Sequence, residues 1–282
     1  MKKKAVVAIQ GERGSYSEQA ATKLLGSTIK VSCCEHFEEV FRRTTNRTTD
    51  YCLIPIENSL AGSIHKNYDL LLRYDLKIIR EINLPVQHNL IVLPGVKLEE
   101  VKTVFSHPVA LDQCEKFFEE NPQMTKRSAY DTAGSVKRIM ENQLKDSGAI
   151  AGRHAAEYHG AEILKTGIQD KQENFTRFFL LAPDPESEED QSKTSIVFNF
   201  KNTPGALFKC LGVFALRDID LLKIESRPIP GRTWEYLFYM DFMGNPEEES
   251  TRNALKHLEE ITEFLRVLGS YPLDTTLEKK GI

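Results

Sequence analysis

Three short stretches of the sequence concentrate side chains that could bind or protonate a small polar molecule. Residues 57–59 read ENS at the end of an apolar run, residues 106–107 read SH, and residues 174–178 read NFTRF before another apolar run. An arginine beside a hydroxyl can bind a carboxylate as a fork while the hydroxyl donates a hydrogen bond. Together the three stretches indicate a site for a small organic anion.

Each stretch also has a plain structural explanation. Asn58 could close a turn on its own backbone, and Ser106 could be a helix N-cap. Glu57 could be a surface charge, and Arg177 a surface arginine beside a threonine that favours strands. His107 suits a general base because an imidazole titrates near neutrality, but a single histidine is more often structural. The residue types alone leave these alternatives open.

A glycine-containing loop follows the first apolar run, and residues 11–17 read GERGSYS. Its glycines permit a tight turn, and Ser17 could cap the helix that follows. The free amides at a helix N-terminus attract anions. The loop is neither the GxGxxG fingerprint nor a P-loop, which argues against a bound nucleotide.

Composition excludes several classes of function. The 282 residues carry a formal net charge of -4, whereas nucleic-acid binding favours a basic face. The five cysteines form no CxxC pair, which argues against a disulfide framework or a zinc site and for reduced thiols in the cytoplasm. No run approaches the roughly 20 apolar residues of a membrane helix, and the run at 5–9 is too short for a signal peptide. We expect a soluble cytoplasmic protein without a metal or a membrane partner.

The elements that must position these residues follow from hydrophobic periodicity. Short apolar runs predict strands at 5–10, 29–33, 51–55, 78–83, 90–93, 103–105, 149–151 and 179–181. Apolar residues three or four apart predict helices at 17–25, 108–119 and 132–142 and around 155–156. This alternation indicates an α/β fold, in which ligands bind where strands end and helices begin.

An acidic, proline-containing stretch at 183–193 has the composition of a solvated linker and predicts a domain boundary. Beyond it, strands are predicted at 194–200, 220–224, 236–240 and 265–271, with helices at 205–216 and 247–264. The order is βαββαβ, the ferredoxin-like plan that many small regulatory domains use.

Several motifs occur in an order that resembles the prephenate dehydratase family throughout the first 181 residues. They are the loop at 11–17, PIENS at 55–59, SHP at 106–108 with Gln113 and Cys114, TA at 132–133, AIAG at 149–152 and NxTRF at 174–178. The stretches GAL at 205–207 and KIESRP at 223–228 resemble the phenylalanine-binding ACT domain of that family. The resemblance covers nearly the whole chain.

The resemblance implies a catalytic domain at 1–182, folded as two lobes like a periplasmic binding protein, and an ACT regulatory domain at 194–275. The first lobe would comprise about residues 1–80 and 174–182 and the second 81–173, with the substrate cleft between them. The implied reaction converts prephenate to phenylpyruvate, water and carbon dioxide in phenylalanine biosynthesis. A carbon–oxygen lyase of this kind requires no cofactor.

The resemblance also implies site residues. Thr176 would be the main catalytic group, with Glu57 as an alternative proton source and Arg177 on a substrate carboxylate. The other substrate-binding residues would be Ser15, Asn58, Ser59, Ser106, Gln113, Thr132, Gly152 and Phe178. The site for L-phenylalanine would comprise Asn202, Gly205, Ala206, Leu207, Glu225, Ser226 and Arg227.

Two positions depart from the family pattern. Val109 stands where a glutamine usually follows SHP, and Asp131 stands where a serine usually precedes the Thr-Ala pair. Neither an amide contact at 109 nor a hydroxyl role at 131 is therefore expected.

The resemblance implies inhibition by L-phenylalanine bound between paired regulatory domains, and hence a homodimer or homotetramer. Two other functions stay open. Arogenate dehydratase acts on a substrate with an amino group where prephenate has a keto oxygen, and the motifs do not separate the two. A non-catalytic amino-acid sensor on a binding-protein fold is the other, and the intact TRF at 176–178 argues against it.

Overall fold

The computed structural model describes residues 4–184, 191–229 and 231–276, so residues 185–190 of the predicted acidic linker lie outside it. The chain divides into two compact units, Met1–Leu70 with Ile82–Phe179 and Leu71–Glu81 with Leu180–Ile282. The segment 71–81, which the sequence placed in the first lobe, groups with the C-terminal residues.

Apolar runs bounded by polar turns form most of the strands that precede the linker, as the sequence predicts. These strands are β1 (Val6–Gln10), β2 (Lys30–Cys34), β3 (Tyr51–Asn58), β4 (Gly62–Ser63), β5 (Lys77–Pro85), β6 (Asn89–Val92), β7 (Thr103–Ser106), β8 (Thr125–Ser128), β9 (Ser147–Ala151), β10 (Glu162–Thr166) and β11 (Phe175–Ala182). The α-helices between them are α1 (Tyr16–Leu25), α2 (Phe37–Thr45), α3 (His65–Arg73), α4 (Pro108–Asp112), α5 (Glu115–Glu120), α6 (Thr132–Glu141) and α7 (Arg153–His159).

These strands form two sheets. The first has the order β2-β1-β3-β11-β5, with β4 paired to β3, and the second has the order β10-β6-β9-β7-β8. The chain passes from the first sheet to the second between β5 and β6 and returns between β10 and β11. We call each sheet with its helices a lobe. The predicted α/β architecture with two lobes is therefore confirmed.

In the second lobe, burial on both faces accounts for the composition of the central strand, β9. Every residue of β9 is buried, which explains its unbroken run of small and apolar residues. Ile150 packs into a core on one face of the sheet, while Ala149 and Ala151 pack into a core on the other. Gly152, the residue after this strand, is the N-cap of α7.

Three local interpretations of the sequence were wrong. Ser15, not Ser17, caps α1, because its Oγ accepts a hydrogen bond from the Glu18 amide at 3.3 Å. His107, not Ser106, is the N-cap of α4. The helix predicted at 108–119 is broken into α4 and α5, because Cys114 has φ −124° and ψ 33°, outside the helical region.

The residues after the linker form a four-stranded antiparallel sheet with two helices. The elements are β12 (Lys193–Asn199), α8 (Ala206–Ala215), β13 (Leu221–Pro228), β14 (Tyr236–Met243), α9 (Glu249–Ile261) and β15 (Phe264–Tyr271). The strand order is β13-β14-β12-β15, and the chain order is the predicted ferredoxin-like βαββαβ. Alternation along the strands sends Ile196 and Phe198 into one core with Val213 and Leu258 of the helices.

The C-terminal unit also buries charged and hydroxyl groups. Lys193 Nζ lies 2.9 Å and 3.0 Å from the two carboxylate oxygens of Glu81, in the segment 71–81. Ser195 Oγ donates to the carboxylate of Asp241 and lies 2.6 Å from the Tyr271 hydroxyl. These contacts join segment 71–81 to β12 and join β12 to its two neighbouring strands.

Over the described ranges, no helix has both the length and the apolar character that crossing a membrane requires.

Candidate active site

A cavity of about 500 Å³ lies in the first unit, where strand ends and helix N-termini of both lobes meet. Asn58 at the end of β3 and Thr176 near the start of β11 line it. The N-terminal residues of α1, α4 and α6 line it as well. Parallel α/β sheets place ligands at this kind of junction, so the cavity lies where the fold predicts a site.

Five polar side chains beside the cavity form a hydrogen-bonded group, which we call the amide cluster: Asn58, His88, Gln113, Asn174 and Thr176. Asn58 Nδ2 donates to Thr176 Oγ1 at 3.0 Å and to Asn174 Oδ1 at 2.8 Å. Gln113 Oε1 accepts from Asn174 Nδ2 at 3.0 Å. The side-chain oxygen of Asn58, Oδ1, accepts backbone amides of the turn after β3, which fixes the orientation of that side chain.

The hydrogen bonds of His88 define its tautomer. Its Nε2 lies 2.9 Å from Gln113 Oε1, which can only accept, so Nε2 carries the proton. Its Nδ1 lies 3.1 Å from the oxygen of the Tyr16 hydroxyl, which donates to the Gln87 carbonyl oxygen at 2.8 Å. Burial lowers the pKa of His88, although the bond to Gln113 opposes the shift, so the ring is neutral at neutral pH. His88 therefore links Tyr16 to the amide cluster without adding charge.

Thr176 holds the hydroxyl that can act on a ligand. Its oxygen accepts from Asn58, so its own proton can point to a molecule in the cavity. Accepting one hydrogen bond polarises a hydroxyl and strengthens the bond that it donates. The arrangement suits donation to a departing oxygen.

Anion binding in this cavity depends on helix ends and hydroxyls. The described residues that line the cavity include no lysine or arginine. The helices α1 and α6, each ten residues long, begin at the lining residues Tyr16 and Thr132. The first amides of a helix lack partners within it and carry its positive dipole end. Two such ends can bind carboxylates here, together with the hydroxyls of Ser15 and Thr132.

A second polar group connects the lobes, and we call it the interlobe latch: Glu12, Tyr130, Asp131 and Lys137. Asp131 Oδ2 accepts from the Glu12 amide at 2.9 Å, while its Oδ1 caps α6 by accepting from Gly134 at 2.9 Å. The Glu12 carboxylate accepts from the Tyr130 hydroxyl at 2.7 Å and from Lys137 Nζ at 3.2 Å. Burial opposes the shift, but these bonds lower the pKa of Glu12 and favour its charged form.

Two glycines bring the loop 11–15 and α1 against the second lobe. A Cβ at Gly14, which has φ 83°, would lie 2.8 Å from Ala155 Cα. A Cβ at Gly152 would lie 2.9 Å from the Tyr16 ring. Gly152, a predicted substrate-binding residue, is not among the residues that line the cavity, and its lack of a Cβ leaves space for Tyr16.

Six of the predicted substrate-site residues line the cavity together: Ser15, Asn58, Gln113, Thr132, Thr176 and Phe178. They come from both lobes and from segments up to 163 residues apart in the sequence, from Ser15 to Phe178. The motifs were therefore a sound guide to which strand ends and helix starts meet.

Glu57 and Arg177 do not line the cavity, because neighbouring residues of a strand point to opposite faces. Asn58 faces the cavity, so Glu57 before it faces away. Thr176 faces the cavity likewise, and the guanidinium of Arg177 lies over the ring of Phe179, 4.6 Å from its centroid. The predicted contact of Arg177 with a substrate carboxylate does not fit this arrangement.

Ser59 and Ser106, which were also predicted to contact substrate, are not among the residues that line the cavity, and their hydroxyls form hydrogen bonds within the protein. Ser59 Oγ accepts from the Phe175 amide at 3.0 Å, which connects the turn after β3 to the start of β11. Ser106 is fully buried, and its Oγ donates to the Ile150 carbonyl oxygen at 2.6 Å. Both serines hold strands of the site in place.

Sequence reasoning missed three residues of the site: Tyr16, His88 and Asn174. Tyr16 and His88 line the cavity, and Asn174 completes the amide cluster. Tyr16 and Asn174 belong to the motifs at 11–17 and 174–178, but site roles were predicted for other residues of those motifs. His88 stands in the stretch 86–88 between β5 and β6, where an imidazole outside any strand or helix was the available signal.

His107 and Val109, which the sequence singled out, both line the cavity. His107 Nδ1 accepts from the Val109 amide at 3.3 Å, which occupies the nitrogen that a base would use. Burial lowers the pKa of His107, and the charge of Asp131 partly opposes this shift. Val109 offers the cavity a methyl surface where an amide is usual.

The cysteines are unsuited to covalent chemistry. All five are free, and burial raises the pKa of Cys52 and of Cys114 to about 12. A thiol with such a pKa is protonated at neutral pH and is a weak nucleophile. Within the described parts of the chain, no three His, Cys, Asp or Glu side chains are grouped so as to hold a metal ion.

This fold and cavity define the class: a two-lobed α/β protein with a polar cavity where strand ends and helix N-termini meet. The family described as prephenate dehydratase matches residues 7–186. The chain is 46% identical over 282 residues to "Arogenate dehydratase/prephenate dehydratase 2, chloroplastic" of Arabidopsis thaliana, covering 96% of this chain and 74% of the relative.

Two solved structures resemble the chain closely. One is a prephenate dehydratase from Arthrobacter aurescens in complex with L-Phe, 29% identical, with a TM-score of 0.88 and coverage of 95% of this chain and 90% of that one. The other is described as "GqqA- a novel type of quorum quenching acylases", 30% identical, with a TM-score of 0.87 and coverage of 95% and 98%. The chain belongs to the prephenate dehydratase family and is therefore a dehydratase, a lyase that acts on prephenate or arogenate.

Proposed function

We propose that Thr176 assists the departure of the ring hydroxyl while the substrate loses carbon dioxide. The observation that carries this assignment is the hydrogen bond from Asn58 Nδ2 to Thr176 Oγ1 in the wall of the cavity. That bond orients the hydroxyl and leaves its proton for the leaving oxygen. General acid assistance of this kind contributes roughly 10²- to 10⁴-fold to a rate.

The electron flow requires no cofactor. The bond from the ring to its carboxylate breaks, and its electron pair moves into the ring as carbon dioxide leaves. The para carbon–oxygen bond breaks with its electron pair on oxygen, which takes up one proton and leaves as water. The products are phenylpyruvate from prephenate or L-phenylalanine from arogenate. Aromatisation supplies the driving force, so the protein mainly orients the substrate and excludes water.

Substrate binding without a cation fits this chemistry. A lysine or arginine on the ring carboxylate would stabilise the ground state that must be lost. Amides at the starts of α1 and α6, with the hydroxyls of Ser15 and Thr132, bind more weakly and can hold the side-chain carboxylate instead. Phe178 supplies an apolar surface for the ring.

We do not extend to this chain the acylase activity for which one similar structure is named. A hydroxyl nucleophile needs an adjacent base. Thr176 Oγ1 is bonded to an amide nitrogen, and His88 and His107 are bonded to other groups. Thr176 and these two histidines therefore do not form the pairing of hydroxyl and base on which acyl transfer depends.

We propose that the C-terminal unit is an ACT domain that binds L-phenylalanine and inhibits turnover. Gly205 is the N-cap of α8 with φ 79°, a left-handed conformation that favours glycine and lets backbone approach a ligand. Ala206 and Leu207 start that helix, Asn202 precedes it, and Glu225, Ser226 and Arg227 lie on β13. The complex of the Arthrobacter aurescens relative with L-Phe supports this assignment.

A homodimer or homotetramer would complete that site. The strand β13 is at the edge of its sheet, and β14 separates it from β12, after which α8 begins. Leu222 and Ile224 on β13 are exposed, at 41% and 44%. A second copy that covered this edge would bring its own α8 N-terminus towards Glu225 to Arg227.

Location in the cytoplasm remains a proposal from the sequence, since the Arabidopsis relative is named as chloroplastic.

The test is to give the purified protein prephenate and arogenate separately and to measure phenylpyruvate and L-phenylalanine. We expect turnover of at least one substrate, reduced by added L-phenylalanine. Initial rates are measured, so that little of the phenylalanine formed from arogenate accumulates and inhibits. Binding of either compound without turnover would support the amino-acid sensor and overturn the proposed function.

A further inference from the structure

Asp131 differs from every other residue that lines the cavity. It is the only carboxylate among the described lining residues, and it is 8% exposed. Its two oxygens accept one backbone amide each, from Glu12 and from Gly134. A carboxylate has about four acceptor positions, so two remain for a ligand. A buried anion in a cavity that binds anionic substrates requires an explanation beyond helix capping.

We propose that Asp131 selects arogenate over prephenate by pairing with the ammonium group of arogenate. The inference rests on the proposed function and names the substrate of the same site. The two substrates differ at one carbon, which bears an ammonium group in arogenate and a keto oxygen in prephenate. Asp131 supplies an anionic acceptor for the ammonium, and Thr132 with the first amides of α6 supplies donors for the adjacent carboxylate.

The surrounding charges favour this pairing. No lysine or arginine among the described lining residues competes for Asp131. Lys137, the cation of the latch, is bonded to Glu12, which does not line the cavity. Burial lowers the pKa of His107 and so favours its neutral form. Arogenate therefore brings the cation that Asp131 lacks.

The same carboxylate penalises prephenate. A keto oxygen beside Asp131 would place two acceptors together without a proton between them, in a buried site where such contacts are expensive. Specificity arises from both the new attraction and the repulsion of the competitor. A buried site of this kind gives a preference of at least about tenfold.

The experiment compares kcat/KM for the two substrates in wild type, Asp131→Asn and Asp131→Ser. Asparagine removes the charge at nearly constant size, and serine is the residue usual in the family and a good helix N-cap. We expect the ratio for arogenate over prephenate to exceed one in wild type. We expect it to fall at least about tenfold in both variants, mainly through KM for arogenate.

Glu12→Gln is the matched control, because it removes a carboxylate of the interlobe latch that does not line the cavity. Its ratio should stay within about twofold of wild type, and thermal unfolding would show that all three variants fold. Equal losses for both substrates in the Asp131 variants would limit Asp131 to capping and latching and overturn the inference, as would a wild-type preference for prephenate. If wild type turned over neither substrate, the proposed function itself would fall.

Discussion

The amide cluster and the C-terminal unit bury polar side chains in different ways. The amide cluster beside the cavity consists of neutral groups that exchange single hydrogen bonds. The C-terminal unit instead buries an ion pair, in which both oxygens of Glu81 contact Lys193 Nζ. A neutral cluster can turn one hydrogen bond towards a substrate at little cost, whereas a buried ion cannot lose its partner cheaply. The comparison predicts that substitutions in the first region reduce turnover, and that substitutions in the second reduce stability.

Thr176→Val tests the first half of the comparison and has the largest expected effect. Valine keeps the shape but loses the hydroxyl, so kcat should fall about a thousandfold, roughly 4 kcal/mol in the activation free energy. Unfolding should change little, because Asn58 Nδ2 keeps Asn174 Oδ1 and the Phe175 carbonyl oxygen as acceptors. Steady-state kinetics and thermal unfolding give the two numbers. Thr176→Ser, which keeps the hydroxyl, is the control and should retain activity within about tenfold.

Lys193→Met tests the second half. It leaves the carboxylate of Glu81, whose side chain is 1% exposed, buried without its cation. Breaking such a pair costs about 3 kcal/mol or more in the free energy of unfolding. Chemical denaturation measures the loss, and the double variant Lys193→Met with Glu81→Leu should recover much of it. A single variant as stable as wild type would show that the ion pair contributes nothing.

His88→Gln has the smallest expected effect, and it changes how the free energy of unfolding depends on pH. Burial lowers the pKa of His88 below its usual 6.5, so the unfolded chain binds a proton more readily than the folded one. The stability that neutral His88 contributes is therefore present above pH 6.5 and declines as the pH falls below it. One such group changes the free energy of unfolding by at most about 1.4 kcal/mol per pH unit. Between pH 7.5 and 5.5 the variant should lose less stability than wild type, and parallel losses would contradict this account.

Much of the fold could be predicted because its strands are apolar runs. The missed elements include β8 and β10, whose residues TKRS and EILKT are mostly exposed or half-buried. Both strands are at the ends of the second sheet, where one side needs no burial and the hydrophobic pattern is weak. Helices α2 and α3 were missed although each has an apolar face, because each has nine residues and its apolar positions repeat over little more than two turns.

The candidate site was predictable to the level of strand ends, and not to the level of side-chain direction. The motifs at 57–59 and 174–178 located the correct junctions, but Glu57 and Arg177 point away from the cavity. Alternation along a strand allows one of two neighbours to face a cavity, and the sequence does not say which. Tertiary packing decides it: Arg177 lies over Phe179, while Thr176 meets Asn58 of the neighbouring strand β3.

The two passages of the chain between the lobes are hydrogen-bonded to each other, and they carry His88 and Asn174 of the amide cluster. The Val86 amide donates to the Asn174 carbonyl oxygen at 2.7 Å, and the Ile168 amide donates to that of His88 at 2.9 Å. If the lobes turn relative to each other, these paired passages are the pivot. Thr176 is two residues beyond Asn174 and would then move little. Asp131, on the second lobe, is farther from the pivot and would move more. Opening the cavity would therefore release the amino-acid end of the substrate, while the hydroxyl of Thr176 would stay beside the substrate ring.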